Sequence, residues 1–473
     1  MSVVLYLIKE GKMKLRSNVA VAALCVSQMC LIAAITSFAS MVGEIGTAIS
    51  SSDYPTAVAV SCYGLAFGGF IIIAPFIIAH WGPLRALQIG ALCWAAVGLL
   101  CIAAPGAAML AIVRYGQGIL SAFAAPCIFL LLKTELEDDF DGFMPVWGAV
   151  SPLGALAGVV LSGVALGVEE WRIVPAALSA VMALTVAVLS TTVRRQSKDK
   201  GWGNFPWHGL IFSAAVTVLY IMLYLFASGY SRTALILAAV CAGSFLAFFR
   251  SEGRAADRRL LDTRAFASLE LVFFIAWMFC SAGMLACYFF VVPVSLRKTL
   301  NIGQFFVTGY FIEFALILIA VSAFVSKWKI SLSRIAPLST ALVLSLACFL
   351  AATFCVSVVG HPVPVIIGIA VSAASIAVVF CLSTAAYFHR VPSAGLASAT
   401  IINNAAFELG PAIILSLLIP LGGTISRLSP LPFPGGGPTD LTGIGLFIWL
   451  LLLVFALVIP AASRSGMLRR RKR

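Results

Sequence analysis

Apolar runs of 18 or more residues recur along the whole sequence, and each is long enough to cross a bilayer core of about 30 Å as a helix. The chain is 62% hydrophobic and only 10% charged, whereas a soluble domain of this size would carry far more polar surface. The sequence therefore predicts an all-α polytopic membrane protein. Fourteen spans are predicted, at residues 18–40, 56–79, 85–105, 108–132, 144–167, 173–193, 207–228, 232–250, 269–294, 303–325, 332–355, 362–388, 395–420 and 441–463.

The basic residues predict the orientation of these spans. The net charge is +13, and with a cytoplasmic N-terminus 25 of the 31 Lys and Arg residues fall on the cytoplasmic side. This excess follows the positive-inside rule, so both termini are predicted to be cytoplasmic, in a bacterial-type inner membrane. The charge reports topology and gives no reason to expect a nucleic-acid partner. Five cations fall outside, at positions 172, 232, 297, 298 and 427, and Arg114 lies within a span.

Polar stretches divide the chain into five predicted parts. They are a cytoplasmic tail (1–17), a six-helix bundle (18–195), a linker with two inserted spans (196–265), a second six-helix bundle (266–463) and a basic cytoplasmic tail (464–473). Paired bundles around a midplane cavity are the common architecture of secondary transporters. The organisation therefore favours transport.

The sequence contains no motif of a competing class. There is no HExxH, GxSxG, Walker or GxGxxG pattern, so neither an enzyme nor a nucleotide-driven pump is expected. The 12 cysteines form no CxxC and the four histidines are isolated from one another. Scattered buried cysteines usually act as small hydrophobes. We therefore predict no catalytic residue, no metal site, no disulfide framework and no cofactor.

Arg114 places a permanent cation inside the fourth predicted span. Gln117, Gly118 and Ser121 follow at three, four and seven residues, which puts all four on one helical face. A polar stripe that includes a glycine suits a helix that faces a water-accessible cavity and admits a second backbone. The alternative is that Arg114 snorkels to the outer headgroups. Because intramembrane charge is rare, we expect Arg114 and Gln117 to serve transport and Ser121 to line the cavity.

This stripe is similar to a known sequence pattern. Arg114-Tyr-Gly-Gln-Gly-Ile-Leu-Ser-Ala resembles the fourth-helix RxxQG motif of major facilitator superfamily transporters, and the fourteen-helix drug:proton antiporter branch is the best fit. Other segments agree with that branch in order and spacing: Tyr63 through Arg85 with helix 2 and the loop after it, Trp147 through Gly163 and then Trp171-Arg172 with the fifth-helix motif, and Ala394 through Gly410 with the helix-13 region.

The resemblance implies both a fold and an activity. The fold would be the major facilitator fold, with two six-helix bundles plus two extra helices that rock about a midplane cavity. The activity would be export of drugs or other small amphipathic molecules by proton antiport. Tyr63 would line the cavity, and six residues would serve conformational change: Gly82, Arg85, Gly118, Gly154, Gly158 and Gly163.

The chain departs from the family pattern at three places. The loop after helix 2 has Ala79-His80 where the family usually has an aspartate-arginine pair. Val159 stands where the fifth-helix motif usually has a proline, so the proline kink is missing. The first span carries no acid, and the nearest, Glu44, lies at or beyond its outer end. Proton coupling through a first-helix carboxylate is therefore in question.

Two other carboxylates lie near the middle of predicted spans. Glu313 follows Tyr310 by three residues and Glu408 follows Asn404 by four, so each acid shares a helical face with a polar neighbour that we expect to line the cavity. An ionisable residue at the bilayer centre costs roughly 2.5–3.5 kcal/mol. Burial disfavours the charged form of a carboxyl group in general, so Glu313 and Glu408 are predicted to bind the proton or a cationic group of the cargo. The alternative is structural hydrogen bonding between helices.

The predicted partners are a small-molecule cargo, protons and the lipid bilayer. We expect a monomer, with periplasmic or outer-membrane efflux partners as a further option. Two alternative functions stay open. One is a metabolite or siderophore exporter, or an uncoupled facilitator, which the missing first-helix acid favours. The other is a transport-dead relative that acts as a membrane sensor or assembly partner, which the altered motifs permit.

Overall fold

The structure, a computed structural model, describes the first part of the chain most fully. Predicted spans at 332–355 and 441–463 lie outside the described residues, so the fourteen-span count stays a prediction. The described residues are 15–136, 140–193, 206–227, 230–254, 260–262, 268, 271–272, 274–283, 309, 312–313, 316–317, 319–320, 374, 383–384, 387–388, 390–391 and 398–413.

Every regular element among these described residues is helical. Short 3-10 turns at Ile71–Ile73 and Cys101–Ala103 extend the third and fifth helices. The helices are α1 (Leu15–Ser40), α2 (Val42–Ala48), α3 (Asp53–Phe70), α4 (Ala74–Trp81), α5 (Pro83–Leu100), α6 (Ala107–Leu136), α7 (Phe140–Gly167), α8 (Ile173–Thr192), α9 (Trp207–Ala227), α10 (Ser231–Arg254), α11 (Phe274–Gly283) and α12 (residues 398–413).

Eight segments of the described chain are long and apolar enough to cross a membrane. They match the first eight predicted spans to within a few residues: the second, for example, runs from Pro55 to Trp81 through α3, the 3-10 turn and α4. The predicted class, an all-α polytopic membrane protein, is thereby confirmed.

The chain divides into two compact units, Met1–Ser213 and Ala214–Arg473. In the first unit α6 packs against α3 and α5, while α1 packs against α7 and α8. Its interior holds small hydroxyl side chains such as Ser27 and Ser37, whereas Ile112 and Leu184 are 69% and 65% exposed. Lipid tails are as apolar as leucine, so helices in a bilayer associate through close packing and hydrogen bonds. The finer five-part division stays a prediction.

Glycines bring α7 against the backbone of α1. A Cβ atom built on Gly158 would lie 2.5 Å from the Ala33 carbonyl oxygen, and one on Gly154 would lie 2.8 Å from the Met29 Cα. Neither position has room for a side chain. The two helices therefore meet at a small-residue contact of the kind that membrane helices favour.

Hydroxyl groups also form hydrogen bonds between α1 and α7 at this contact. Thr36 donates to the Ala155 carbonyl oxygen at 3.0 Å, and the Ser40 hydroxyl donates to Ser162 at 2.7 Å. Gly163, the next residue along α7, is half-buried. Since lipid offers no competing hydrogen bonds, these bonds help to fix the register of α1 against α7.

A single glycine reverses the chain between α4 and α5. Gly82 is the only residue between the two helices, and its backbone lies at φ 78° and ψ 152°. This region is accessible essentially only to glycine, and Pro83 follows at the first helical position, where proline is favoured. Arg85 is exposed on the first turn of α5. Gly82 is thus required by the turn geometry, independently of any conformational role.

In the second unit the end of α10 is tied to the segment that follows it. The buried Glu252 carboxylate accepts a hydrogen bond from the Leu261 backbone N–H at 2.7 Å. The next backbone N–H, of Asp262, donates to the Ser398 hydroxyl at 2.8 Å. Ser398 opens α12, so the residues after α10 are held close to the start of α12.

Candidate functional site: a buried arginine in the first unit

The Arg114 guanidinium lies in the interior of the first unit and is 0% exposed. Its Nη1 donates to Gln117 Oε1 at 3.0 Å and its Nη2 donates to the Ala34 carbonyl oxygen at 3.0 Å. The ring centroids of Phe38 and Tyr63 lie 4.3 Å and 4.4 Å from Cζ, within the range of cation–π attraction. Arg114 therefore does not snorkel towards the headgroups.

No carboxylate pairs with Arg114 in the described part of the chain. The ion pair found there joins Arg172 and Glu170, and Arg114 Nε has no hydrogen-bond partner. Burying an unpaired charge costs several kcal/mol, which the two oxygen acceptors and the two aromatic rings offset only in part. Within the described residues, a side-chain amide oxygen, a backbone carbonyl oxygen and two aromatic rings hold the cation, and no carboxylate does.

Gln117 extends the contacts of Arg114 to α5. The amide side chain is 3% exposed, and its Nε2 lies 3.5 Å from the Trp94 carbonyl oxygen. The Cys101 thiol, in the 3-10 turn after α5, lies 3.9 Å from Gln117 Oε1. The oxygen that accepts from Arg114 is therefore also in contact with the end of α5.

Tyr63 and Ser121 complete the cluster on the other side of the guanidinium. The Tyr63 hydroxyl lies between the Leu31 carbonyl oxygen, at 3.2 Å, and the Ser121 hydroxyl, to which it is hydrogen-bonded. Both side chains are 0% exposed. They were predicted to line a substrate cavity; the structure encloses them, and that role stays a prediction. Together with Arg114 they join α1, α3 and α6, and Gln117 adds the contact with α5.

Gly118 lets α6 approach α3 beside this cluster. A Cβ atom built on Gly118 would overlap the Tyr63 carbonyl oxygen. Backbone cannot move aside as a flexible side chain can. The predicted stripe of Arg114, Gln117, Gly118 and Ser121 is thus one buried face of α6, and its glycine is needed for the close contact.

We expect Gly118→Ala to destabilise the protein by about 1–3 kcal/mol, the usual cost of overpacking a tight contact. Gly116→Ala is the matched control, since a Cβ there would lie at an ordinary 3.5 Å from Val97 Cγ1 and alanine is the better helix former. The measurement is the Tm of each purified variant in detergent. A Tm of the Gly118→Ala variant that equals or exceeds the Tm of the Gly116→Ala variant would contradict the close packing of α6 against α3.

The two acids predicted for the second unit, Glu408 and Glu313, differ in how deeply they are buried. Glu408 of α12 is 4% exposed, and no hydrogen bond or ion pair to it is formed within the described residues. Asn404, one turn earlier, is half-buried, as is Glu313. Tyr310 lies outside the described residues. That these four residues share one cavity stays a prediction.

Sequence reasoning missed the groups that complete the Arg114 site. On α1, the groups that contact Arg114 are the Ala34 backbone carbonyl oxygen and the Phe38 ring, and neither residue has a polar side chain. Trp94 contributes only a backbone carbonyl oxygen. No spacing rule reveals a carbonyl acceptor 80 residues away, or a ring at a similar separation; the arginine within an apolar span was the available signal. Among the described residues no group of three His, Cys, Asp or Glu side chains is arranged to hold a metal ion.

Comparison with known proteins gives two antibiotic resistance proteins and an uncharacterised MFS-type transporter as relatives. The puromycin resistance protein of Streptomyces alboniger is 29% identical over 26% of this chain and 25% of the relative. The lincomycin resistance protein of Streptomyces lincolnensis is 28% identical over 40% of this chain and 41% of its own length. The uncharacterised MFS-type transporter EfpA of Mycobacterium tuberculosis is 28% identical over 38% of this chain and 34% of its own length. Each match spans less than half of the relative.

Solved structures share the fold at low sequence identity. A POT family transporter in complex with a thioalcohol-conjugated peptide superposes with a TM-score of 0.68 at 13% identity, covering 94% of this chain and 96% of the other. A nucleoside transporter superposes with a TM-score of 0.63 at 13% identity, covering 93% of this chain and 99% of the other. A bacterial homologue of the human lysosomal transporter Spinster superposes with a TM-score of 0.63 at 14% identity, covering 96% of this chain and 98% of the other.

At such identities the superpositions carry the fold alone, and the family rests on the sequence itself. The Major Facilitator Superfamily model matches residues 24–415, which is most of the chain and includes the whole Arg114 cluster. The protein is a member of the Major Facilitator Superfamily and a multi-pass membrane transporter, not an enzyme.

Proposed function

We propose that this transporter exports small amphipathic molecules in exchange for protons by alternating access. It would lie in a bacterial inner membrane with both termini in the cytoplasm, the side to which the positive-inside rule assigns most of its Lys and Arg residues. The observation that carries the proposal is the carboxyl group of Glu408, buried in α12 at 4% exposure with no cation paired to it in the described part of the chain.

Glu408 is suited to bind a proton or a cationic cargo. A carboxylate removed from water costs several kcal/mol unless a positive partner compensates it. In the described residues that partner is missing, and we propose that it arrives from outside, either as a proton or as an ammonium group of the cargo. Competition of these two for one carboxylate is a simple basis for exchange. Glu313, with Tyr310 and Asn404, would assist from the same unit.

Arg114 and Gln117 would serve transport by fixing the helices of the first unit. The guanidinium bonds to α1 and packs on α3, and Gln117 reaches α5. A rigid bundle moves as one body during alternating access. The α1 helix has no Asp or Glu, so we assign Arg114 no part in a proton relay with α1. Its positive charge would also set the field in this half of the protein.

The relatives' names suggest the cargo to test first. Puromycin and lincomycin both carry an amine that takes up a proton near neutral pH, and both are amphipathic. A protonated amine is the chemistry that an unpaired buried carboxylate would bind. We therefore propose amine-bearing amphipathic drugs as the cargo class.

The lack of an acid in α1 also favours a second candidate, an uncoupled facilitator or a metabolite or siderophore exporter. Such a protein would move its cargo down a gradient without proton exchange. A transport-dead sensor or assembly partner would move nothing.

Uptake into proteoliposomes distinguishes these functions. Vesicles with an acidic interior are given labelled puromycin or lincomycin, and protein-free vesicles with the same gradient correct for passive trapping of a weak base. We expect uptake above this control that a proton ionophore abolishes. Protein-dependent uptake that is the same with and without the gradient would instead support the facilitator. No protein-dependent uptake of either drug would contradict the proposed cargo class.

A further inference from the structure

The turn between α7 and α8, residues 168–172, contacts the Arg114 site through an aromatic ring. Trp171 is 4% exposed and packs edge-on against Phe38, with ring centroids 6.3 Å apart and planes at 76°. The Phe38 ring lies 4.3 Å from Arg114 Cζ. Only one ring therefore separates Trp171 from the buried guanidinium.

The same turn reaches the site by a second route. Arg172 Nε donates to the Ile102 carbonyl oxygen at 3.0 Å. Ile102 adjoins Cys101, whose thiol lies 3.9 Å from Gln117 Oε1. That oxygen accepts the hydrogen bond from Arg114 Nη1. Two series of contacts therefore lead from the turn to the guanidinium. One runs through Phe38, and the other runs through Ile102, Cys101 and Gln117.

Helix electrostatics indicate that Arg172 is placed for this contact. Arg172 directly precedes α8, where the helix dipole disfavours a cation. Its Cζ lies 5.0 Å from the Trp171 ring centroid, and its donor is directed at a carbonyl at the end of α5, where a cation is favoured. The ion pair with Glu170 at 3.4 Å is 37% and 47% exposed, so it adds little. The Trp171 ring and the Ile102 carbonyl oxygen thus hold Arg172 in place.

We propose that Trp171 and Arg172 are positioning residues for Arg114. Trp171 holds the guanidinium in place through Phe38, and Arg172 holds it through the Ile102 backbone, Cys101 and Gln117. Neither touches Arg114. Loss of either would loosen the packing around Arg114 and admit water to the end of α5. Any effect on transport rests on the proposed function, whereas the loosening itself can be measured without a cargo.

The Trp171 ring, and not its N–H group, makes the contact. Trp171 Nε1 is buried and has no hydrogen-bond partner among the described residues, so a phenyl ring can replace the indole at the Phe38 contact. Trp171→Phe is therefore the conservative variant and Trp171→Ala the disruptive one. Arg172→Gln tests the second route without removing a large side chain.

Site-resolved alkylation of the full-length protein in detergent measures the loosening. Cys101 and Cys127 are both 0% exposed, but Cys127 lies about 20 Å further along α6 from Arg114. With N-ethylmaleimide and mass spectrometry, we expect Trp171→Ala to raise the alkylation rate of Cys101 about tenfold by local opening. Cys127 should stay at its wild-type rate. Arg172→Gln should act in the same direction.

Trp171→Phe should remain within about twofold of the wild-type rate, because packing swaps that conserve most of the ring are well tolerated. Trp207→Ala removes a tryptophan that is 70% exposed and serves as the matched control. The proposal is overturned if Cys101 is no more reactive in Trp171→Ala than in wild type. It is equally overturned if Cys127 becomes reactive in parallel, since that reports general unfolding, or if Trp171→Phe behaves like Trp171→Ala.

Transport adds a separate readout once a cargo is found. We expect Trp171→Ala to lower kcat for puromycin uptake with little change in KM, because the contact organises the helices and does not bind cargo. Rescue by Trp171→Phe should restore kcat. Failure of puromycin to move in the wild type would contradict the proposed function while leaving the alkylation test intact.

Discussion

Replacing Arg114 by lysine should lower drug transport about as much as replacing it by glutamine. A lysine ammonium retains the charge but lacks the planar fork, so it cannot bond to Gln117 Oε1 and the Ala34 carbonyl oxygen while lying against two rings. A hydrogen bond from a charged donor is worth about 1.5–3 kcal/mol, and about 1.4 kcal/mol corresponds to a factor of ten in rate. We expect both variants to lose about tenfold or more in kcat. The measurement is initial uptake of puromycin in proteoliposomes.

The control for these variants is the same pair of substitutions at Arg232, an exposed cation on α10. Both Arg232 variants should transport like the wild type. Size-exclusion profiles confirm that each protein remains folded. A lysine at position 114 that keeps more than half of the wild-type rate would show that charge alone matters there, and would contradict the role assigned to the guanidinium geometry.

Glu408→Gln should abolish the dependence of transport on the pH gradient. The amide is nearly the same size as the acid but binds no proton, so it removes the charge change and leaves the packing of α12 nearly intact. We expect gradient-driven puromycin uptake to fall about tenfold or more. Any remaining uptake should be equal with and without the gradient. Proteoliposome uptake at several imposed gradients measures both quantities.

Glu169→Gln is the matched control, because Glu169 is an exposed acid in the α7–α8 turn. Its pH dependence should match that of the wild type. Glu313→Gln tests the second predicted acid in the same assay. If Glu408→Gln keeps its full response to the gradient and Glu313→Gln loses it, the coupling group is Glu313 and the assignment to Glu408 is wrong.

Much of the fold follows from the sequence because the bilayer imposes a length on each span. Eight predicted spans coincide with helices of the structure to within a few residues. The ends differ most where a helix continues beyond the apolar run, as α6 does through Lys133 to Leu136. The bilayer limits the apolar length, whereas caps and loop contacts set where the helix stops.

The polar part of the Arg114 site is also visible in the sequence, since helical spacing places Gln117, Gly118 and Ser121 beside the arginine. Its surroundings are not. Helical spacing cannot tell whether a polar face meets water or the backbone of another helix, and here the face is buried. The Ala34 carbonyl oxygen and the Phe38 ring carry no sequence signal of their own. Only tertiary packing of α1 brings them to Arg114.

The surroundings of Arg114 show what replaces the missing acid of α1. With no acid in α1, the Ala34 carbonyl oxygen and the Phe38 ring are the groups of α1 that face the cation. An arginine that bonds a carbonyl oxygen cannot exchange a proton with it. Coupling, if it is to occur, must therefore use acids elsewhere in the chain, and Glu408 is the most deeply buried of the acids in described spans.

The most direct test of proton exchange through Glu408 is proton movement driven by the drug itself. Proteoliposomes loaded with the pH dye pyranine, at equal pH on both sides, are given external puromycin, and protein-free vesicles correct for passive entry of the base. The wild type should make the interior more alkaline than this control as drug enters and protons leave, and Glu408→Gln should match the control. Wild-type vesicles that take up puromycin with no proton signal beyond the control would contradict proton-coupled export.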